Sequence, residues 1–120
     1  MVEDWARPVV AVEIQAREPD KQREFYMKMF NWDISDGPIM RFGAGIGGPE
    51  PGPVGVMRES STARVVLYIQ VMDLRASLEK ARTLGGSVIT EPVDIPQGEG
   101  IVTLAQIADP EGNTVGLVQQ

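Results

Sequence analysis

The apolar positions along the chain change period several times, and those changes predict its elements. Residues 9–16, VVAVEIQA, are apolar and largely β-branched, with polar groups at alternate positions late in the run. That pattern predicts a strand whose Ala11, Glu13 and Gln15 share one face. Glu18 and Pro19 suit a helix start, with the acid near the positive end of the helix dipole and proline where its missing N–H costs least. The helix is expected to reach Phe30, with Tyr26, Met29 and Phe30 on one apolar face and Asn31 in the left-handed conformation that often ends a helix. Residues 32–35 should begin the next strand. Two short strands are expected near 39–42 and 54–58, joined by a loop dense in Gly and Pro.

The second half repeats the order. Residues 65–71 read as a strand, Asp73 as an N-cap, and Leu74, Leu78, Ala81 and Leu84 as the apolar stripe of a helix that Gly85 and Gly86 stop. A strand at 87–90, a turn-rich link at 92–100, a strand at 101–108, the turn DPEGN at 109–113 and a last strand at 114–119 complete it. Shifting the chain by 55 positions lays Val10, Ile14 and Gln15 on the identical Val65, Ile69 and Gln70, and pairs Glu18 with Asp73. The chain thus reads as two copies of a β-α-β-β-β unit, one about 9–58 and one about 64–119, within a single α+β domain of residues 1–120.

Composition narrows the function classes. With 120 residues and 42% hydrophobic content the chain suits one core, burying roughly two thirds of the unfolded surface. The absence of cysteine removes disulfides, thiolate catalysis and thiolate metal sites together. The start, MVEDWARPVV, lacks the basic-then-apolar pattern of a signal peptide, and no apolar run approaches the length of a membrane span, so a cytoplasmic protein without a membrane partner is expected. A formal charge of −6 with no basic cluster argues against nucleic acid as a partner. Gly43, Gly45 and Gly48 satisfy G-x-G-x-x-G, but a dinucleotide site needs a helix to follow, which Pro49, Pro51 and Pro53 oppose; no cofactor is expected. The loop carrying them reads either as a lid over a pocket or as an exposed connection.

EPDKQREFYMKMFNWDI after the first strand, with LEKARTLGG and IADPEGNTVGLVQ in the second half, resembles the vicinal oxygen chelate superfamily, the glyoxalase/bleomycin-resistance/dioxygenase proteins. FY, FNW, LGG and DPEGN in this order carry the resemblance. It implies paired βαβββ modules whose strands curve into an open cup of mixed sheet around a ligand, and a homodimer. Metal-dependent members place four ligands, usually His and Glu or Gln, on strands of the cup. The matching positions here are Ala11, a position near Gly55, Val66 and Gly116, none of which binds metal through its side chain, and the chain has no His. No metal is expected through these positions; an all-oxygen Mg or Ca site of carboxylates and carbonyls stays open as an alternative, without clustered acids at suitable spacing to support it.

If Ala11 and Val66 mark the cavity face, alternation adds Glu13 and Gln15 from the first copy and Tyr68 and Gln70 from the second, which the repeat sets opposite one another. Met57, two residues from Gly55, is expected to add a deformable apolar wall, and Gly116 to leave room at the centre. Glu13 reads as a general base, as an anchor for a cationic or hydrogen-bonding ligand, or as a carboxylate paired with a nearby Arg. Tyr68 reads as its acid partner or as packing. Three functions remain open: a metal-independent small-molecule binding protein similar to the bleomycin-resistance members; a metal-free lyase- or isomerase-type enzyme, or a glyoxalase-like one with a non-standard site; and an assembly subunit.

Overall fold

The computed structural model describes residues 6–43, 53–97 and 100–119. Most of the loop joining the two short strands of the first half, with Gly45 and Gly48 of its glycine motif, lies outside the described residues. Seven strands and two helices are present among those described: β1 (Val9–Ala16), α1 (Pro19–Phe30), β2 (Ile39–Gly43), β3 (Val54–Glu59), β4 (Arg64–Gln70), α2 (Leu74–Thr83), β5 (Ser87–Gln97), β6 (Gly100–Ala108) and β7 (Thr114–Gln119). The architecture is α+β. By contact density the chain forms two compact units, Val10–Leu67 and the described parts of Met1–Val9 with Tyr68–Gln120, so the division falls inside β4.

In the unit Val10–Leu67, β3 lies between β1, to which it is parallel, and β2, to which it is antiparallel. The apolar alternation of these strands puts Ile14, Ala16, Met40, Phe42 and Met57 into one buried cluster with Ile34, against which Tyr26 and Met27 of α1 pack. Asn31 ends α1 at φ 61°, as its residue type predicts. Two expectations fail here. Residues 32–35 form no strand, only a bridge from Ile34 to Phe42. Trp32 instead turns inward, stacked between Tyr26 at 5.1 Å and Phe42 at 4.7 Å. Met29 and Phe30 are exposed rather than on the packing face, because Tyr26 and Met27 already meet the sheet. The Phe42 ring lies over Gly55, where a Cβ would stand 2.6 Å from its Cε1 and 2.9 Å from Val12 Cγ2; glycine is what lets the ring approach the strand.

In the other unit the strand order is β4-β7-β6-β5, parallel between β4 and β7 and antiparallel elsewhere. Leu74 and Leu78 of α2 bury against Ala105 and Leu117, with Ile69, Val71, Val88 and Ile107 around them. Leu84, expected on the same stripe, is exposed beyond the last helical turn. Asp73 caps α2, its carboxylate accepting from the Ala76 N–H at 3.1 Å. The expected link at 92–100 is a correction of substance: β5 continues through Pro92 and Pro96 to Gln97, with register shifts between Val88 and Thr90 and between Thr90 and Val93. Its place at the end of the strand order explains this, since an edge strand tolerates a missing N–H on its open side and a bulge absorbs the kink. Asp109 holds the following turn by accepting from the N–H groups of Glu111 and Asn113 and from the Asn113 side chain. No helix among the described residues is long and apolar enough to cross a membrane.

Candidate functional site

In the unit Val10–Leu67, β1, β2 and β3 each give one set of alternate side chains to the cluster under α1 and the other set to the opposite face. Pairing fixes which set is which. Glu13 is in register with Val56 and Arg41, and Gln15 with Arg58 and Ile39, whereas Ile14 is in register with Met57 and Met40. Glu13 and Gln15 therefore occupy the face away from α1, and alternation puts Ala11 beside them. Met57 does not: it is fully buried in the cluster under the helix, on the far side of the sheet from Glu13. Gly55 likewise points under α1, and Val56 takes its place on the polar face.

On that face four side chains form one hydrogen-bonded run. Arg64 Nε donates to Gln15 Oε1 at 2.9 Å, Gln15 Nε2 donates to Glu13 Oε2 at 2.6 Å, and Arg58 Nε donates to the same carboxylate oxygen at 3.0 Å. Glu13 and Gln15 are buried, at 5% and 2% exposure. Burying a carboxylate is tolerable only with such partners. Of the roles open for Glu13 in the sequence, pairing with an arginine is the one the geometry displays. Sequence reasoning left out Arg58 and Arg64, although parity alone would have found Arg64, two residues before Val66 on the same strand.

Val66, in the same unit, is fully buried. Tyr68, Gln70 and Gly116 belong to the other unit, on the face of its sheet away from α2. Tyr68 is in register with Gly116, which is in register with Gln106, and Gln70 with Val118. The Tyr68 ring lies across Gly116, where a Cβ would stand 2.7 Å from ring Cγ, and Gln106 Nε2 donates to Tyr68 Oη at 3.1 Å. Gln106 is buried, so this bond satisfies a polar group that solvent does not reach, and the phenol reads as an oriented hydrogen-bonding group. Gln106 too was missed, being placed by a strand-pair register that no local pattern encodes.

The donor chemistry does not fit the metal site of the resembling enzymes. Ala11, Val66 and Gly116 offer no ligating side chain, nor does Val56 or Gly55, and the chain lacks His and Cys altogether. Among the described residues no group of three or more Asp or Glu could hold an ion. An open depression of about 550 Å³ runs along α1 past Phe25 and Met29, flanked by Asp20, Lys21, Glu24 and Lys28. It is a shallow helix surface that includes none of the groups above, and the buried polar run is the better candidate.

Comparison with known proteins agrees with this architecture. The family model described as a glyoxalase-like domain matches residues 11–118. No curated protein matches the chain in sequence. Among solved structures, a glyoxalase/bleomycin resistance protein/dioxygenase superfamily member from Vibrio splendidus is similar with a TM-score of 0.65 at 10% identity, over 96% of this chain and 100% of that one. A methylmalonyl-CoA epimerase from Mycobacterium tuberculosis is similar with a TM-score of 0.60 at 16% identity, over 98% and 93%. One from Streptomyces coelicolor, in complex with 2-nitronate-propionyl-CoA, has a TM-score of 0.59 at 13% identity, over 93% and 96%. At these identities the likeness is one of fold.

Proposed function

The chain belongs to the glyoxalase-like domain family, and on that premise we propose that it is a small-molecule binding protein that works without a metal, its ligand held on the polar face that carries Glu13 and Gln15. The observation that supports this reading is the run Arg64–Gln15–Glu13–Arg58. Its two inner members are buried and held by their neighbours, so the outer guanidiniums are pre-positioned without a metal to organise them. Preorganised polar groups reduce the ordering cost of binding. The same engagement weighs against Glu13 as a general base with Tyr68 as acid, because Glu13 Oε2 already accepts from two donors and proton abstraction through it requires breaking those bonds. The protein acts as a cytoplasmic homodimer in this reading.

Native mass spectrometry tests it, after incubation of the purified, EDTA-treated protein with a small-molecule extract of its source cells. A dimer carrying an adduct whose mass stays constant with time is the expected result. An adduct that needs added metal removes the metal-free claim. An adduct replaced by a second mass makes the protein an enzyme, and loss of that conversion in Glu13→Gln would assign Glu13 as its base.

A further inference from the structure

We infer that the sheet face of the unit Tyr68–Gln120 turned away from α2 binds an uncharged, mainly aliphatic small molecule that carries one hydrogen-bond donor, an amide N–H or a hydroxyl. The site involves other residues, all in this other unit, and does not depend on the reading above.

Register assembles the face. Leu104 of β6 is in register with Val118 of β7 and Val93 of β5, Val102 with Ile95, and Gln106 with Gly116 and Thr90. Ala105 and Ile107, of the opposite parity on β6, pack with α2. Val102, Leu104 and Gln106 therefore share the face that α2 leaves uncovered. The register shifts in β5 contribute here, because they bring Thr90 and Val93, at odd spacing, to the same side. Val93, Ile95, Val102, Leu104 and Val118 thus form one continuous aliphatic surface. Val93 is 54% exposed and Ile95, Val102 and Leu104 are half-buried, so the surface is open to a ligand.

Charge and hydrogen bonding set the class of that ligand. The chain has 11 basic and 17 acidic residues, and none of them falls at these positions. A charged ligand would lose water here and find no opposite charge, whereas an uncharged apolar one gains by leaving water. Gln106 supplies the direction. Its Nε2 donates to Tyr68 Oη at 3.1 Å, and its Oε1 accepts from no donor among the described residues. Among those residues no side-chain nitrogen or oxygen is both sealed from solvent and unpaired. Oε1 is accordingly the part of Gln106, 7% exposed in all, that opens on the face. An acceptor held in place through its own amide nitrogen, beside an aliphatic surface, selects a ligand that brings a donor.

The probe that tests this is hexanamide, set against N,N-dimethylhexanamide, which lacks the N–H, and against hexanoate and hexylamine, which carry charge. Binding to the wild-type protein is followed by NMR through the methyl resonances of Val102, Leu104 and Val118 and the side-chain amide of Gln106. Saturable shift of these by hexanamide is expected, with N,N-dimethylhexanamide roughly fivefold weaker for the lost hydrogen bond and both ions weaker by at least about as much. Gln106→Leu should bring the two amides to equal affinity. Val93→Lys, at a position already exposed and so tolerant of the change, should strengthen hexanoate roughly threefold or more and leave hexylamine no stronger. Arg75→Gln, on the exposed side of α2, should change nothing. Equal affinity for all four probes, preference for either ion, shifts confined to Leu74 and Leu78 under α2, or no saturable shift overturns the inference. Methyl shifts of Val102 and Leu104 that follow protein concentration rather than probe would assign the face to a second copy of the chain and overturn it as well.

Discussion

Replacing Gly116 by alanine adds one methyl group, and the structure predicts both its cost and where that cost comes from. The added Cβ would lie 2.7 Å from Tyr68 Cγ, with the ring edge closer still, so the ring must move. Overpacking of this kind costs roughly 1–3 kcal/mol. Moving the ring also strains the 3.1 Å bond from Gln106 Nε2 to Tyr68 Oη, a further contribution of about 1 kcal/mol because Gln106 is buried. Against these stands a gain of about 0.4–1 kcal/mol from reducing the freedom of the unfolded chain, since Gly116 has no positive φ that alanine would resist. The net expectation is destabilisation of about 1–3 kcal/mol. The diagnostic is the background: with Tyr68→Ala already in place the ring is gone, only the entropic gain remains, and the same Gly116→Ala change should stabilise slightly. Urea denaturation of wild type, both single variants and the double variant closes the cycle, and a coupling of about 1 kcal/mol or more is expected. If Gly116→Ala has the same effect in both backgrounds, the Tyr68 ring does not depend on the bare glycine backbone and the reasoning is wrong.

Three further perturbations address other parts of the molecule. Glu13→Ala leaves Gln15 without an acceptor and Arg58 without its partner; a loss of about 1–3 kcal/mol in urea denaturation is expected, below the full cost of breaking a buried pair because Arg58 is partly solvated, and a loss under about 0.5 kcal/mol would show that the run is not structural. Asp73→Ala removes the cap of α2 and should cost about 0.5–2 kcal/mol, with faster amide exchange confined to the first turn of the helix; protection unchanged there would remove the capping role. Asp109 has its pKa held below the ordinary value of 3.8, first by the Asn113 side chain and then by backbone N–H groups. Its folded form therefore resists protonation more than the unfolded chain, and the stability it confers is full above 3.8 and fades as pH falls toward the lower folded value. The urea midpoints of wild type and Asp109→Ala should accordingly converge on acidification from pH 6 to pH 3, and a gap that is constant or widens would contradict that sign.

The fold was legible wherever local chemistry decides conformation. Pro19, Asn31 and Asp73 mark helix limits through missing donors, tolerated φ and a capping carboxylate, and the structure has them in those roles. DPEGN forms its turn because Asp109 reaches the backbone two and four residues on. The motifs FY, FNW, LGG and DPEGN placed the chain in its family, which the match over residues 11–118 bears out. Strand alternation correctly set Glu13 beside Gln15.

What the sequence could not decide was how one strand's alternation meets another's. Within a strand the period of two is local, but which parity of β3 shares a face with Glu13 is set by hydrogen-bond register with β1, and a one-residue difference sends Met57 under α1 and Arg58 onto the polar face. The same dependence decided β5, whose prolines read as a break and are accommodated because the strand lies at an edge. Trp32 had strand-like neighbours, yet the space between Tyr26 and Phe42 took it into the core instead. Residue types determined the elements, their caps and the polar character of one sheet face; only tertiary pairing, through register and available volume, decided that the acid on that face would be buried and paired with Arg58.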